Sequence, residues 1–269
     1  MTKIISVVNL KGGVGKTAIA VNFAAYCGSK GFHTLLVDLD PQTNATFSCI
    51  DVDVWERHAQ EHGTIANVLG FRPQAFAEAA RVNVDSILIR NVFPMVDLLP
   101  SHLDLFTIDL DLAGAIGREY KLRQALAPIK DQYQFIVCDC PPNLTIPTQN
   151  ALAASTHYVV PISPDYLSGI GVGILLTRVR QFCSDLQGHN LTLAGMIISR
   201  EGRKAEHRLQ TVSALRTKFG NDVLNTVIKE RVSVSVSAQN HNSIFHSRDR
   251  FAIQEFTNAS EEILTKLGG

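Results

Sequence analysis

Cysteine is scarce, neither sign of charge is in surplus, and no apolar run is long. The five cysteines of this 269-residue chain are odd in number and fit neither a disulfide framework nor a four-ligand metal site. They read as buried thiols of a reducing compartment. Lys plus Arg and Asp plus Glu are 25 each, so the formal net charge is zero. No global basic field announces nucleic acid, and any such surface has to be a local patch. No apolar stretch approaches the roughly 20 residues of a membrane span. The N-terminus lacks the charged region, apolar core and cleavage site of a signal peptide. There is no internal repeat, no long linker, and no low-complexity tract beyond the serine–valine run around Val234. What remains is an ordinary globular composition, 45% hydrophobic and 19% charged. It is expected in the cytoplasm as a single domain over residues 1–269.

What is present is alternation. Short β-branched runs recur between helical segments at Ile4–Val8, Thr34–Val37, Val96–Leu99, Phe135–Cys138, Tyr158–Pro161, Leu193–Ile198 and Val223–Ile228. Several are apolar without a polar face, as parallel strands covered on both sides are. The pattern predicts a doubly wound α/β fold, a mostly parallel sheet flanked by helices, with its ligand at the carboxyl ends of the strands. Residues 51–90 are more polar and read as a helical excursion over the sheet's edge.

Three motifs stand directly after such runs. In "NLKGGVGKTA", residues 9–18, glycines let backbone amides converge on phosphate oxygens. Lys16 supplies a point charge to the phosphates and Thr17 a hydroxyl for Mg²⁺. The usual glycine five places before Gly15 is replaced by Leu10, and a second lysine, Lys11, precedes Gly12 and Gly13. In "LLVDLDPQTNAT", Asp38 or Asp40 can reach the Mg²⁺ or orient a water. Asp40, on the loop before Pro41, is the favoured one, while Asp38 at the strand end is placed to fix local hydrogen bonds. In "QFIVCDCPPN", Asp139 ends an apolar strand as a Walker B carboxylate reaching Mg²⁺ through water. Cys138 and Cys140 flank it on the opposite face and read as packing residues.

In this order and at these separations, the three motifs resemble the ParA/MinD family of deviant Walker A P-loop ATPases, and the ParA (Soj) branch more closely. "TIANVL" at 64–69, "VVPISPDYLSGIGVGIL" at 159–175 and "KFGNDVLNTVI" at 218–228 extend the likeness over nearly the whole chain. The resemblance implies ATP and Mg²⁺ as cofactors, bound by Lys11, Gly12, Gly13, Val14, Gly15, Lys16, Thr17 and Ala18, with Thr17, Asp40 and Asp139 serving the metal. It implies that Lys11 is the signature lysine, reaching across an ATP-dependent homodimer to the partner's phosphates much as an arginine finger does. Lys11, Lys16 and Asp40 are then the catalytic set. Gly12 matches the glycine of the close dimer contact. Further implied are non-specific DNA binding on the nucleoid and an adaptor, ParB-like or another small protein, that stimulates hydrolysis to position a plasmid, chromosome origin or protein assembly.

One departure stands out. Where the family commonly reads Ile-Pro-Arg-Asn, with Pro and Asn near the base, this chain has "IKERVSVS": Lys229, Glu230 and Arg231 occupy the three places after the isoleucine. Lys229 and Arg231 are carried as base-side candidates, and an expected basic residue is acidic. The resemblance places the DNA surface near "SREGRKAEHR", with Arg200, Arg203, Lys204 and Arg208, extended by Lys218 and by Lys229 and Arg231. A MinD-like membrane role would need a basic amphipathic tail. The tail has the stripe Phe256, Ala259, Ile263 and Leu267, but Glu255, Glu261 and Glu262 stand against Lys266, so it is expected to pack on the core. A metabolic ligase on the same scaffold has no use for Lys11. An iron–sulfur reductase needs cluster cysteines that Cys138 and Cys140 do not match. His241 and His246 read as polar surface groups.

Overall fold

Runs without a polar face become the interior of a sheet. In the computed structural model, which describes residues 1–70, 83–165, 168–186, 188–202 and 206–268, eight strands form one sheet. They are β1 (Lys3–Val7), β2 (Thr34–Asp38), β3 (Ile89–Phe93), β4 (Val96–Leu99), β5 (Phe135–Asp139), β6 (His157–Ile162), β7 (Thr192–Glu201) and β8 (Val223–Lys229). The spatial order is β3-β4-β2-β5-β1-β6-β7-β8. Every pairing is parallel except β3 with β4. This is the doubly wound α/β fold that the alternation predicts.

Every residue of β2 and β5 is buried. Alternate side chains feed two apolar layers, as the two-residue period of a strand requires. Leu35, Val37, Ile136 and Cys138 join one layer, together with Cys140. Leu36, Phe135 and Val137 join the other with Ile5 and Val7. Both cysteines thus pack on one side, as read from their spacing.

The helix Lys16–Ser29, α1, lies against the second layer through Ile19, Ala20, Phe23, Ala24 and Cys27. Its Gly28 allows a close approach to the turn between β3 and β4, because a Cβ there would stand 2.2 Å from the Pro94 carbonyl oxygen. The C-terminal helix Arg250–Lys266 buries Phe256, Ala259 and Ile263 in the same layer, followed by Leu267. Burying each of the three larger side chains contributes roughly 1.5–3 kcal/mol. Its acidic residues fasten it sideways. Glu262 accepts from the Asn225 and Thr226 amides at 2.7 and 2.8 Å, Glu255 from the Lys229 amide at 3.0 Å, and Glu261 from the Tyr26 hydroxyl at 3.0 Å. The stripe that could have met a lipid surface is inside the protein. Among the described residues no helix is long and apolar enough to cross a membrane.

The excursion over residues 51–90 is helical at Val52–Glu61, Ile65–Leu69 and Val84–Ile87, while 71–82 lie outside the described residues. Its end corrects the sequence reading. Residues from Ile89 onward turn back as the antiparallel edge strand β3, which has only one buried position, Phe93.

Candidate functional site

β1, β5 and β2 are neighbours and parallel, so their carboxyl ends open on one edge of the sheet. In an open α/β sheet that is where ligands collect. β1 runs into the loop that starts at Asn9, whose side chain donates to the Pro161 carbonyl at 2.6 Å and accepts from the Lys11 amide at 2.9 Å. Gly13 and Gly15 have φ of 72° and 85°, a left-handed backbone that favours glycine. No side chain caps the N-terminus of α1. Its first amides, together with the loop, are therefore available to an anion.

Lys16, nearly buried, reaches back to donate to the Lys11 carbonyl at 3.0 Å. Burial lowers its pKa, while the charges of Asp139 and Asp40 oppose that shift. Lys11 points the other way and ion-pairs with Asp165 of the same chain. A Cβ added at Gly12 would meet no atom within 4 Å, so this part of the loop is an uncovered surface.

Three aspartates surround the mouth of the loop. Asp38 and Asp139 are register partners on β2 and β5. Asp38 is fully bonded locally: Oδ2 accepts from the Thr46 amide and hydroxyl at 2.8 Å each, and Oδ1 from the Asp40 amide at 3.1 Å. Burial still raises its pKa against those bonds. Asp40 sits on the following loop, where Oδ1 accepts from the Gln42 amide at 2.9 Å and its carbonyl from the Ser101 hydroxyl at 2.7 Å. Asp139 differs from both, since neither carboxylate oxygen has a partner of normal hydrogen-bond geometry. Burial, with the charges of Asp38 and Asp40, pushes its pKa well up, opposed by the Thr17 hydroxyl and by Lys16. A buried carboxylate left without donors, beside a threonine hydroxyl, suits a hard divalent cation that keeps several of its own waters.

The basic candidates separate. Arg200 lies at the loop, where Nη1 donates to the Gly13 carbonyl at 2.8 Å and Nη2 pairs with Glu230 at 2.5 Å. Next to it, Ser199 donates to the Val14 carbonyl at 2.6 Å. Sequence reading found neither contact, because β7 and the loop are some 185 residues apart. Arg231, carried as a base-side candidate, is instead bound to Glu255 at 2.7 Å and lies over the Phe251 ring at 5.7 Å. Lys229 is held through its amide by that same glutamate. Arg208 and Lys218 lie on the helix Glu206–Phe219, with Lys218 reaching the Gly169 carbonyl at 3.4 Å. Arg203 and Lys204 fall outside the described residues. His241 and His246 hydrogen-bond to the Phe47 carbonyl and the Ser243 hydroxyl.

Residues 2–193 match the AAA domain family AAA_31. The chain is 32% identical over 236 residues to the chromosome-partitioning ATPase Soj of Treponema pallidum, covering 87% of this chain and 86% of that protein. It belongs to the ParA/Soj family of partition ATPases. Among solved structures, a plasmid partition protein of Borrelia burgdorferi superimposes with a TM-score of 0.77 at 25% identity, over 98% of this chain and 99% of that one. Cobyrinic acid a,c-diamide synthase of Mycobacterium smegmatis, with bound ADP and magnesium, gives 0.79 at 26% identity, over 100% and 96%. The scaffold thus also appears under the name of a metabolic enzyme. The relative and the solved structure named for partition place this chain in the family of partition and positioning ATPases.

Proposed function

We propose that this single-domain family member is an ATP-dependent dimerising switch that binds DNA without sequence preference and positions a cargo. The observation that carries the nucleotide part is Asp139, a buried carboxylate with two unpartnered oxygens beside Lys16 and Thr17 at the mouth of a glycine loop. Gly12 to Ala18 would hold the phosphates of ATP, and Thr17 and Asp139, with Asp40 nearby, the magnesium. Magnesium, when bound, supplies charge neutralisation for the phosphates. Lys16 contributes a fixed positive charge held in place by burial. Asp40, on a loop pinned by Gln42 and Ser101, orients a water for attack.

The dimer part rests on Lys11 and Gly12. Lys11 is exposed at the loop's edge, and the space over Gly12 is open to a second copy. Leaving Asp165 for a partner's phosphates would carry the Lys11 charge to where the transition state gathers negative charge, an effect worth on the order of 10³–10⁵ in rate.

For DNA, the proposed contacts are Arg203, Lys204, Arg208 and Lys218. Arg200 and Arg231, also considered from the sequence, are given less weight because each is paired with a glutamate. Dimerisation doubles such a patch, so binding should require ATP. The protein then resides on the nucleoid in the cytoplasm, with a ParB-like or other small adaptor triggering release and no membrane involved. A gel shift with Mg·ATP on unrelated duplexes tests it. With about four to six phosphates neutralised, log affinity falls with log salt at a slope of roughly −4 to −5. The double variant Arg203→Ala/Lys204→Ala weakens binding evenly and flattens that slope. A confirmed dimer that ignores DNA at low salt rules the reading out.

A further inference from the structure

We infer that Ser199 and Arg200, at the end of β7, are positioning residues that set the direction of two phosphate-facing amides, and that Glu230 holds Arg200 in that task. The inference deepens the nucleotide-binding reading and rests on it.

The first observation is the form of β7's end. Between the pairs Ile198↔Val227 and Glu201↔Lys229, β7 advances three residues while β8 advances two, so β7 carries a bulge. Arg200 lies inside it with φ of 51°, a left-handed conformation that an arginine adopts only under constraint. Bulges re-aim side chains and gather beside active sites. Here the re-aimed side chain lands on the glycine loop. The Arg200 Nη1 donates to the Gly13 carbonyl at 2.8 Å, and the buried Ser199 hydroxyl donates to the Val14 carbonyl at 2.6 Å.

The second observation is what those two carbonyls do to the loop. In a planar trans peptide the C=O of one residue and the N–H of the next point in opposite directions. The chain has no cis peptide among the described residues. Drawing the Gly13 carbonyl toward Arg200 therefore turns the Val14 N–H away from β7. Drawing the Val14 carbonyl toward Ser199 does the same to the Gly15 N–H. Two of the loop's donors are thus aimed before any anion arrives, and such prior orientation is what makes an anion site tight. A glycine loop is flexible by composition, so without the brace those peptides are free to flip.

The third observation is an ion pair at the end of β8. The Glu230 carboxylate pairs with Arg200 Nη2 at 2.5 Å. An arginine at position 230 would repel Arg200, whereas glutamate fixes the guanidinium with one arm on β8's end and the other on the loop. The acid is the complement of Arg200, and the segment that follows β8 becomes coupled to the glycine loop.

The test measures Mg·ADP affinity by calorimetry, which needs neither hydrolysis nor dimer formation, together with the NMR chemical shifts of the Val14 and Gly15 amides in the nucleotide-free protein. Arg200→Ala should weaken affinity about tenfold and shift the Val14 amide resonance, with Arg200→Lys, which keeps a donor, losing less than about threefold. Ser199→Ala should act on Gly15 in the same way. The charge reversal Arg200→Glu/Glu230→Arg restores the ion pair but places no donor on the Gly13 carbonyl, so it should remain as weak as Arg200→Ala. Full affinity in the charge reversal, or in Arg200→Ala, overturns the inference. Lys16→Ala is the control: if the wild type binds Mg·ADP and Lys16→Ala does not, a normal Arg200→Ala counts against the brace alone. If the wild type fails to bind, the nucleotide reading itself has failed. Melting temperatures of the ligand-free variants separate misfolding from lost orientation, and Arg200→Lys keeps the test open should Arg200→Ala not fold.

Discussion

The ends of β2 and β5 carry the same residue type in register, Asp38 opposite Asp139, in equally dry surroundings. Asp38 accepts three hydrogen bonds from its own neighbourhood and Asp139 accepts none of normal geometry. The first is saturated by the fold. The second is left for something the chain does not itself contain. An unsatisfied buried acceptor typically costs about 1–3 kcal/mol, so a fold retains one where a ligand repays it. The contrast separates a carboxylate saturated by the fold from one that is not, without reference to position in any motif.

The largest effects should come from breaking the functional side. Asp139→Asn should lower Mg²⁺-dependent nucleotide binding and hydrolysis by about 100-fold or more, while leaving ligand-free stability unchanged or higher by up to about 1 kcal/mol. Titration with Mg·ATP and with metal-free ATP checks it, since only the former should suffer strongly. Asp40→Ala should keep nucleotide affinity and slow hydrolysis by about 100-fold, leaving a persistent dimer in light scattering. If Asp40→Ala hydrolyses ATP normally, the water-positioning role passes to another group, with Asp38 the first to test.

The structural side should fail differently. Asp38→Asn sets an amide NH2 against a backbone N–H that now donates to the carboxylate, that of Asp40 or of Thr46, and Thr46 is further tied to the Ser101 amide at 2.9 Å. We expect a loss of about 2–3 kcal/mol in denaturant unfolding, with activity falling only as the folded fraction falls. Equal stability losses in Asp38→Asn and Asp139→Asn would remove the distinction between the two strand ends.

The same contrast explains what was legible in the sequence. Seven strands could be read because each is a short β-branched or apolar run between helical segments, several without a polar face, and the doubly wound class followed from that alternation. β3 was not legible. Its sequence "IRNVF" places Arg90 and Asn91 in the middle, Asn91 has φ of 54°, and the pairing with β4 is irregular. That Asp139, Lys16 and Thr17 come together was legible because their motifs stand directly after strands, and the parallel order of β1 and β5 puts those strand ends side by side. The role of Asp38 was legible as a local one, since its partners are within eight residues. The Arg200 brace was hidden, because it depends on a bulge and on two partners far away in the chain. The ion pair of Arg231 was hidden for the same reason, as its partner Glu255 lies on a helix that begins at Arg250.

A third carboxylate allows the smallest test. Asp97 on β4 is as buried as Asp38 and is met by Arg90 at 2.7 Å, the Tyr133 hydroxyl at 2.8 Å and the Asn91 amide at 2.9 Å. Burial pushes its pKa up, but those three donors outweigh burial and hold it below the ordinary carboxylate value. A carboxylate depressed in the folded state contributes stability that is complete above its unfolded pKa, near 4, and is lost as pH falls through the folded pKa. Asp97 should therefore steepen the acid limb of the stability curve and leave the neutral range flat. Because Arg90 is partly exposed, added salt should trim the effect only modestly. Unfolding midpoints from pH 2 to 7 for the wild type and Asp97→Asn measure it: the variant should be less stable at neutral pH and converge on the wild type in acid. A constant gap across that range would mean that packing around Asp97, rather than its charge, supports the edge of the sheet.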